Sequence, residues 1–249
     1  MKRVIIIQAR MTSTRLPGKV MMNVGGKPML AQQLQRLRQC QCVDEIVIAT
    51  TRNTSDEPLV ELARKEGLGW FRGSEDDVLS RYVGAARQFQ ADVVVRVTAD
   101  CPLIDPLVTD RVIEDLVDHR SECDYASNVL KRTYPRGLDT EAMFLDTLFR
   151  IDRLAQSKVS REHVTIMARS ERRDLFVCRS IEDDQNNADL RWVVDTMPDL
   201  EVVRALYDGL DLGVNVESFS KIVAYARKHP ELVRLNSGME TWDPMASAV

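Results

Sequence analysis

The sequence contains no long apolar run. Its first hydrophobic stretch, Val4-Ile5-Ile6-Ile7, ends at Gln8. That is far short of a signal-peptide core or the ~20 residues of a membrane span, so a cytoplasmic protein without a membrane partner is expected. The five cysteines form no C-x-x-C pair, and the one close spacing is Cys40-Gln41-Cys42. This excludes a disulfide framework and suits free thiols in a reducing compartment. Three histidines, His119, His163 and His229, are too few for a His-rich zinc site. Net basicity is also missing: 34 Lys and Arg against 38 Asp and Glu leave a formal charge of −4. A dedicated nucleic-acid-binding domain is usually basic, so no nucleic-acid partner is expected, and any polyanion site must be a local cluster of Lys and Arg. No G-x-G-x-x-G motif occurs, which argues against nicotinamide-dinucleotide chemistry. Internal repeats and low-complexity segments are absent too.

What is present is an ordinary globular composition, 44% hydrophobic and 29% charged over 249 residues. A chain of this length buries roughly 70–75% of its unfolded surface and needs no covalent staple. The β-branched run at 4–7 suits a strand buried on both faces. Further strands are expected at 45–49, 70–71 and 93–97, and helices at 29–38, 58–65, 76–89 and 108–119, with Ser55 as candidate N-cap of the second. This alternation predicts an α/β fold with a mostly parallel sheet flanked by helices. The second half is less regular. Strands are expected at 141–144, 174–178 and 191–194, helices at 147–155, 162–168, 200–207 and 219–227, and a turn at Tyr134-Pro135-Arg136-Gly137. No linker divides the chain. The reading is one domain over 1–236, with halves at about 1–123 and 124–236, and a tail at 237–249.

The densest chemical signal directly follows the first strand. Arg10, Arg15 and Lys19 stand with Thr12, Ser13 and Thr14 within ten residues. In an open α/β sheet, ligands bind beyond the carboxyl ends of the strands. Forked guanidinium donors, a mobile ammonium and short hydroxyl donors together suit a triphosphate. The loop is not a Walker A sequence, because Ser13 and Val20 stand where that motif needs Gly and Ser or Thr. Asp100 and Asp195 each follow an apolar run. Hard carboxylate oxygens at a sheet edge suit Mg²⁺ shared with substrate phosphates; the alternative is an N-cap or turn former before Pro102 for Asp100 and a cap for the following turn for Asp195. Asp199 reads as a first-turn dipole partner. Cys101, beside Asp100, reads as a small buried residue rather than a nucleophile.

These residues carry a resemblance. Gln8-Ala9-Arg10-x-x-Ser13-x-Arg15-Leu16-Pro17-Gly18-Lys19, followed by Gly26-Lys27-Pro28-Met29-Leu30, is similar to the opening of the cytidylyltransferases that make CMP-activated sugar acids. Asp77-Val78-Leu79-x-Arg81-Tyr82, Arg136-Gly137-Leu138-Asp139-x-Glu141, Arg161-Glu162-His163-Val164 and Trp192-Val193-Val194-Asp195-Thr196 resemble its spore-coat polysaccharide branch. The resemblance implies a Rossmann-like nucleotidyltransferase fold with a smaller acceptor-binding and dimerisation lobe. It implies CTP as nucleotide, Mg²⁺ as cofactor, a sugar-acid acceptor, release of pyrophosphate and a homodimer. Carried over by position, Ala9 and Met11 offer backbone groups; Arg10, Ser13, Arg15 and Lys19 hold the triphosphate; Arg81, Thr98 and Asp100 join the nucleotide site. Arg10 and Lys19 would neutralise developing charge. Asp100 and Asp195 would hold the metal. Arg136, Asp139, Glu141, Arg161 and His163 are acceptor-binding candidates; His163 has a helix-surface alternative and Arg136 a turn alternative. Two other readings stand beside this one. A metal-dependent glycosyltransferase would carry an Asp-x-Asp motif, which the chain lacks. A non-catalytic nucleotide-binding module would not need both strand-end aspartates.

Overall fold

The structure, a computed structural model, describes residues 1–239; of the expected tail, 240–249 lie outside the described residues. The chain opens with β1 (Arg3–Gln8), whose Val4–Ile7 stretch is fully buried. A loop and a minimal hairpin follow, β2 (Asn23–Val24) and β3 (Lys27–Pro28). Strand and helix then alternate through α1 (Met29–Leu37), β4 (Glu45–Thr51), α2 (Glu57–Lys65), β5 (Gly69–Gly73), α3 (Val78–Gln88), β6 (Val93–Thr98) and α4 (Pro106–Asp118). The second half supplies β7 (Tyr125–Ser127), β8 (Glu141–Phe144), α5 (Leu145–Leu154), α6 (Lys158–His163), β9 (Cys178–Ser180), α7 (Met197–Gly209), α8 (Phe219–Lys228) and α9 (Pro230–Leu235).

The sheet order is β5-β4-β1-β6-β8-β7-β9. β1 is an interior strand, parallel to its neighbours β4 and β6, which explains its unbroken apolar run: both faces are covered. Ile5 and Ile7 pack on one face with α1, α2, α4, α7 and α8; Val4 and Ile6 pack on the other with α3 and α5. The irregular half does not form a separate layer. β8 joins the edge of β6 antiparallel, and β7 and β9 continue the same sheet.

Four local expectations are corrected. Ser55 does not cap α2; it lies in a 3₁₀ turn, Thr54–Asp56, and Asp56 takes the cap position with its carboxylate turned back into the protein. The segment 191–194 is not a strand. Trp192 and Val194 are buried, but their N–H groups donate to the carbonyls of Arg136 (2.6 Å) and Asp100 (2.9 Å), so the alternation reports burial without a ladder. The strand expected at 174–178 begins only at Cys178, after a 3₁₀ turn at Arg173–Leu175. The helix expected at 162–168 is broken. α6 ends at His163, Val164 turns to φ +52°, and a π-helical turn follows at Met167–Glu171.

Gly137 explains the turn expected there. It sits at φ +105°, and a Cβ would lie 2.6 Å from the backbone of Trp192 and Val193. Neither the conformation nor the space admits a side chain. Gly137→Ala is therefore expected to lower stability by about 1–3 kcal/mol, read as an earlier urea midpoint; an unchanged midpoint would contradict this packing.

Candidate functional site

The loop after β1 is held at the carboxyl edge of the sheet from three sides. The Ala9 N–H donates to the Ala49 carbonyl (3.1 Å), extending the ladder by one rung. The Met11 N–H donates to Oδ1 of Asp56 (2.8 Å), a fully buried carboxylate that also accepts from both hydroxyls of Thr50 and Thr51. The Gly18 N–H closes the loop on the Met11 carbonyl (2.8 Å), and Gly18, at φ +72°, caps the 3₁₀ turn that aims Lys19 inward. Farther out, Glu75 accepts from the Thr12 hydroxyl (2.6 Å) and the Asn53 amide (2.5 Å), with Arg10 at 3.8 Å. Those two hydrogen bonds hold its carboxyl below the usual range.

Lys19 is the centre of the arrangement. Its ammonium donates to the Val194 carbonyl (2.6 Å), to Oδ1 of Asp195 (3.0 Å) and to Oδ2 of Asp100 (3.2 Å). All three N–H bonds are thereby used. Two oxygens at 3.0 and 3.2 Å from one nitrogen lie at most about 6.2 Å apart, so the two aspartates share one small volume. Burial alone would depress the Lys19 pKa, but the charges of Asp100 and Asp195 outweigh it and hold the group above its ordinary 10.5. For Asp100, burial pushes upward, while Lys19 and the Thr98 hydroxyl (2.5 Å) bring the carboxyl below its ordinary 3.8.

Asp195 is oriented by Arg15 (3.0 Å) and Arg191 (3.1 Å). Just beyond it, Asp199 accepts from the Thr196 N–H (3.0 Å) and from Arg191 (2.8 Å), capping α7 as a first-turn acid should. Cys101 is buried, and burial pushes its thiol well above the ordinary value, which fits an inert residue.

A cleft of about 290 Å³ opens over this group. Of the residues expected at the site, Ala9, Arg10, Ser13, Arg15 and Lys19 line it from the loop, and Thr98, Asp100, Asp195 and His163 line it from the end of β6, from the segment before α7 and from α6. Met11 is not on its wall; its N–H is committed to Asp56. Arg81 lines a smaller adjoining cleft instead.

The other acceptor-binding candidates do not reach the main cleft. Arg161 bridges Asp77 (2.7 Å) and Asp152 (2.7 Å), tying α6 to α3 and α5. Asp139 takes a two-pronged ion pair from Arg132 (2.6 and 2.8 Å). Glu141 is buried against Arg96 (3.1 Å). Arg136 is half-buried, and its main chain is clamped between Leu190 and Trp192. His163 does face the cleft, but not as a cation. Burial brings its pKa down to about 4; Arg96 and Arg169 push the same way against Glu162, so the ring is neutral at pH 7.

Sequence reasoning gave no site role to Glu75, Asp56, Gln8 or Arg191, although Gln8 opens the motif read there. Asp56 and Glu75 each sit just before a helix, which invites reading them as cap residues; only the fold shows what they hold. Among the described residues, no group of three or more His, Cys, Asp or Glu side chains is placed to hold a metal, so any ion here would rest on the two aspartates and the ligand. No helix among them is long and apolar enough to cross a membrane.

A mostly parallel sheet whose carboxyl edge gathers cations and two carboxylates around one cleft is the arrangement of the α/β enzymes that handle nucleotide phosphates. Comparison with known proteins narrows the class. Residues 4–208 match the sequence pattern described as cytidylyltransferase. The chain is 33% identical over 233 residues to the spore coat polysaccharide biosynthesis protein SpsF of Bacillus subtilis, covering 91% of this chain and 94% of that one. The structure of a cytidylyltransferase from Leptospira borgpetersenii superposes with a TM-score of 0.90 at 29% identity, covering 98% of this chain and 100% of that one. CMP:2-keto-3-deoxy-manno-octonic acid synthetase complexed with CTP shares the fold, with a TM-score of 0.66 at 21% identity over 84% of this chain and 100% of that one. The chain belongs to the cytidylyltransferase family and is a nucleotidyltransferase.

Proposed function

We propose that this enzyme transfers CMP from CTP to a sugar acid or a related sugar and releases pyrophosphate. The observation that carries the reading is the Lys19 ammonium held between Asp100 and Asp195, on the wall of a cleft that also presents Arg10, Arg15 and Ser13. A CTP-bound structure of the same fold supports the choice of nucleotide, and the spore-coat relative supports an acceptor bound for a polysaccharide or other glycan.

An acceptor oxygen attacks the α-phosphorus as the bond to the departing pyrophosphate breaks on the opposite side. Little of the barrier is lowered by covalent chemistry, so the protein's work is positioning and charge. Arg10 and Arg15 approach from the loop, and Lys19 stands where charge builds on the phosphates. The chemistry of the donor set suits a hard dication: two carboxylates, bridged here by the Lys19 ammonium, on the wall of the same cleft as the cationic loop. Held there by Asp100 and Asp195, Mg²⁺ would add positive charge against the triphosphate.

The test is pyrophosphate release with Mg²⁺ and each of CTP, UTP and ATP, against a panel of sugar acids, sugar phosphates and neutral sugars. Turnover is expected with CTP and an anionic sugar. Hydrolysis of nucleotide sugars without turnover of any triphosphate would overturn the reading in favour of a glycosyltransferase.

A further inference from the structure

The main cleft continues into a smaller one of about 110 Å³ beneath α6. The two share Gln8, Ala9, Arg10 and His163, and the smaller adds Arg81 and Glu162. We infer that this smaller cleft is the subsite for an oxyanion carried by the acceptor, a carboxylate or a phosphate, with Arg81 and Arg10 supplying charge and Gln8 a fixed amide donor. The inference rests on the reading above, in which the larger cleft takes the nucleotide.

Arg81 is the first reason. It is 2% exposed, yet its hydrogen bonds go to backbone carbonyls, of Ser74 (2.7 Å) and Glu75 (3.3 Å), rather than to a carboxylate. Its Nε is buried without a hydrogen-bond partner. Asp56 and Glu75 offset part of the desolvation of Arg81, but neither carboxylate is hydrogen-bonded to it, so a guanidinium that lines the cleft keeps donor capacity for an anion. Burial lowers the Arg81 pKa, and the second arginine, Arg10, pushes the same way against Tyr82, Asp56 and Glu75. The cleft wall itself carries two cations, Arg10 and Arg81, and one carboxylate, Glu162, while Glu75 stands outside that wall 3.8 Å from Arg10.

Gln8 is the second reason. Its Oε1 accepts from Nη2 of Arg96 (3.0 Å), while Nη1 of Arg96 donates to Glu141 (3.1 Å). A guanidinium has only donors, so the amide must show it the oxygen. The two N–H groups of Nε2 are therefore turned away from Arg96, on a residue that lines both clefts. Glu141, expected to touch sugar hydroxyls itself, serves here as the anchor of the arginine that orients Gln8.

The third reason is the way His163 is pinned. The Thr165 N–H donates to the His163 carbonyl (2.5 Å) across Val164, a fully buried β-branched residue at φ +52°, ψ −64°. That γ-turn conformation is strained, and such strain gathers where a side chain must be fixed for binding. His163, pinned on the wall of both clefts, brings no charge to the acceptor.

Anion binding to the CTP-loaded enzyme tests this, followed by calorimetry with inorganic phosphate in one arm and D-gluconate in the other. CTP occupies its own phosphate contacts, so a second anion site shows itself separately. Saturable binding of at least one anion is expected; the arm that binds more tightly identifies phosphate or carboxylate. Arg81→Gln is expected to weaken that binding by about tenfold or more while CTP affinity stays within about twofold. Gln8→Leu is expected to weaken it severalfold, and it keeps the test open if the arginine variant does not fold. CTP bound with no saturable anion site overturns the subsite alone. So does an Arg81→Gln protein that loses affinity for CTP but not for the anion. Failure of wild-type protein to bind CTP overturns the nucleotide reading and the subsite with it.

Discussion

Lys19→Met is expected to fold and to lose turnover by about two to three orders of magnitude. Wild-type Lys19 is 8% exposed, and its ammonium makes three hydrogen bonds, two of them to carboxylates. Methionine fills the channel left by the aliphatic stem but offers neither donor nor charge, so the triphosphate loses its buried cation and Asp100 faces Asp195 without one. The pH dependence of stability supplies a second readout. In the wild type the depressed Asp100 pKa stabilises the fold above its ordinary 3.8, and that contribution is lost as pH falls through the folded value. The raised Lys19 pKa stabilises below its ordinary 10.5 and is lost as pH rises through the folded value. The variant has neither contribution. Burial now dominates Asp100 and raises its pKa, so the variant should gain stability as pH falls from 7 toward 4, where the wild type is near its plateau. Urea unfolding at pH 4.5 and pH 7.5 measures this, alongside pyrophosphate release. Turnover within about fivefold of wild type, or parallel stability profiles, would remove Lys19 from the centre of the site.

The order of strands and helices through the first half was legible because each element answers to a local rule. Val4–Ile7 has no polar face, and only the middle of a parallel sheet satisfies it. The loop chemistry was legible too, since cations and hydroxyls crowd ten residues. Partnerships were not. Lys19 meets Asp195 across 176 positions, and Arg161 meets Asp77 across 84. Nothing local distinguishes an arginine waiting for a substrate from one already paired. Arg161 and Arg81 show both sides of this: the first is held by two aspartates, the second is buried without one. The segment 191–194 failed for a related reason. Burial on one side produces the same alternation whether the backbone bonds run to a strand or to the carbonyls of Arg136 and Asp100.

Asp100→Asn and Asp195→Asn are expected each to lower kcat/KM by about 10²–10³ and to raise the Mg²⁺ concentration needed for half-maximal rate. Both substitutions keep the shape of the side chain and one oxygen, so the Lys19 contact can persist while a negative charge is lost. If the two carboxylates act as one cation site, the double variant should be little worse than either single one, because groups that work as a unit are not additive. A chelator should abolish wild-type activity, and added Mg²⁺ should restore it. Asp199→Asn is the comparison that separates charge at the site from scaffolding. Its carboxylate accepts from Asp195, Thr196, Arg191 and Asn236 but does not face the cleft, so its loss should lower stability and leave the Mg²⁺ dependence in place. Initial rates across a Mg²⁺ titration decide the matter. An unchanged half-saturation in both single variants, or losses that multiply in the double variant, would mean that Asp100 and Asp195 orient Lys19 without holding a metal.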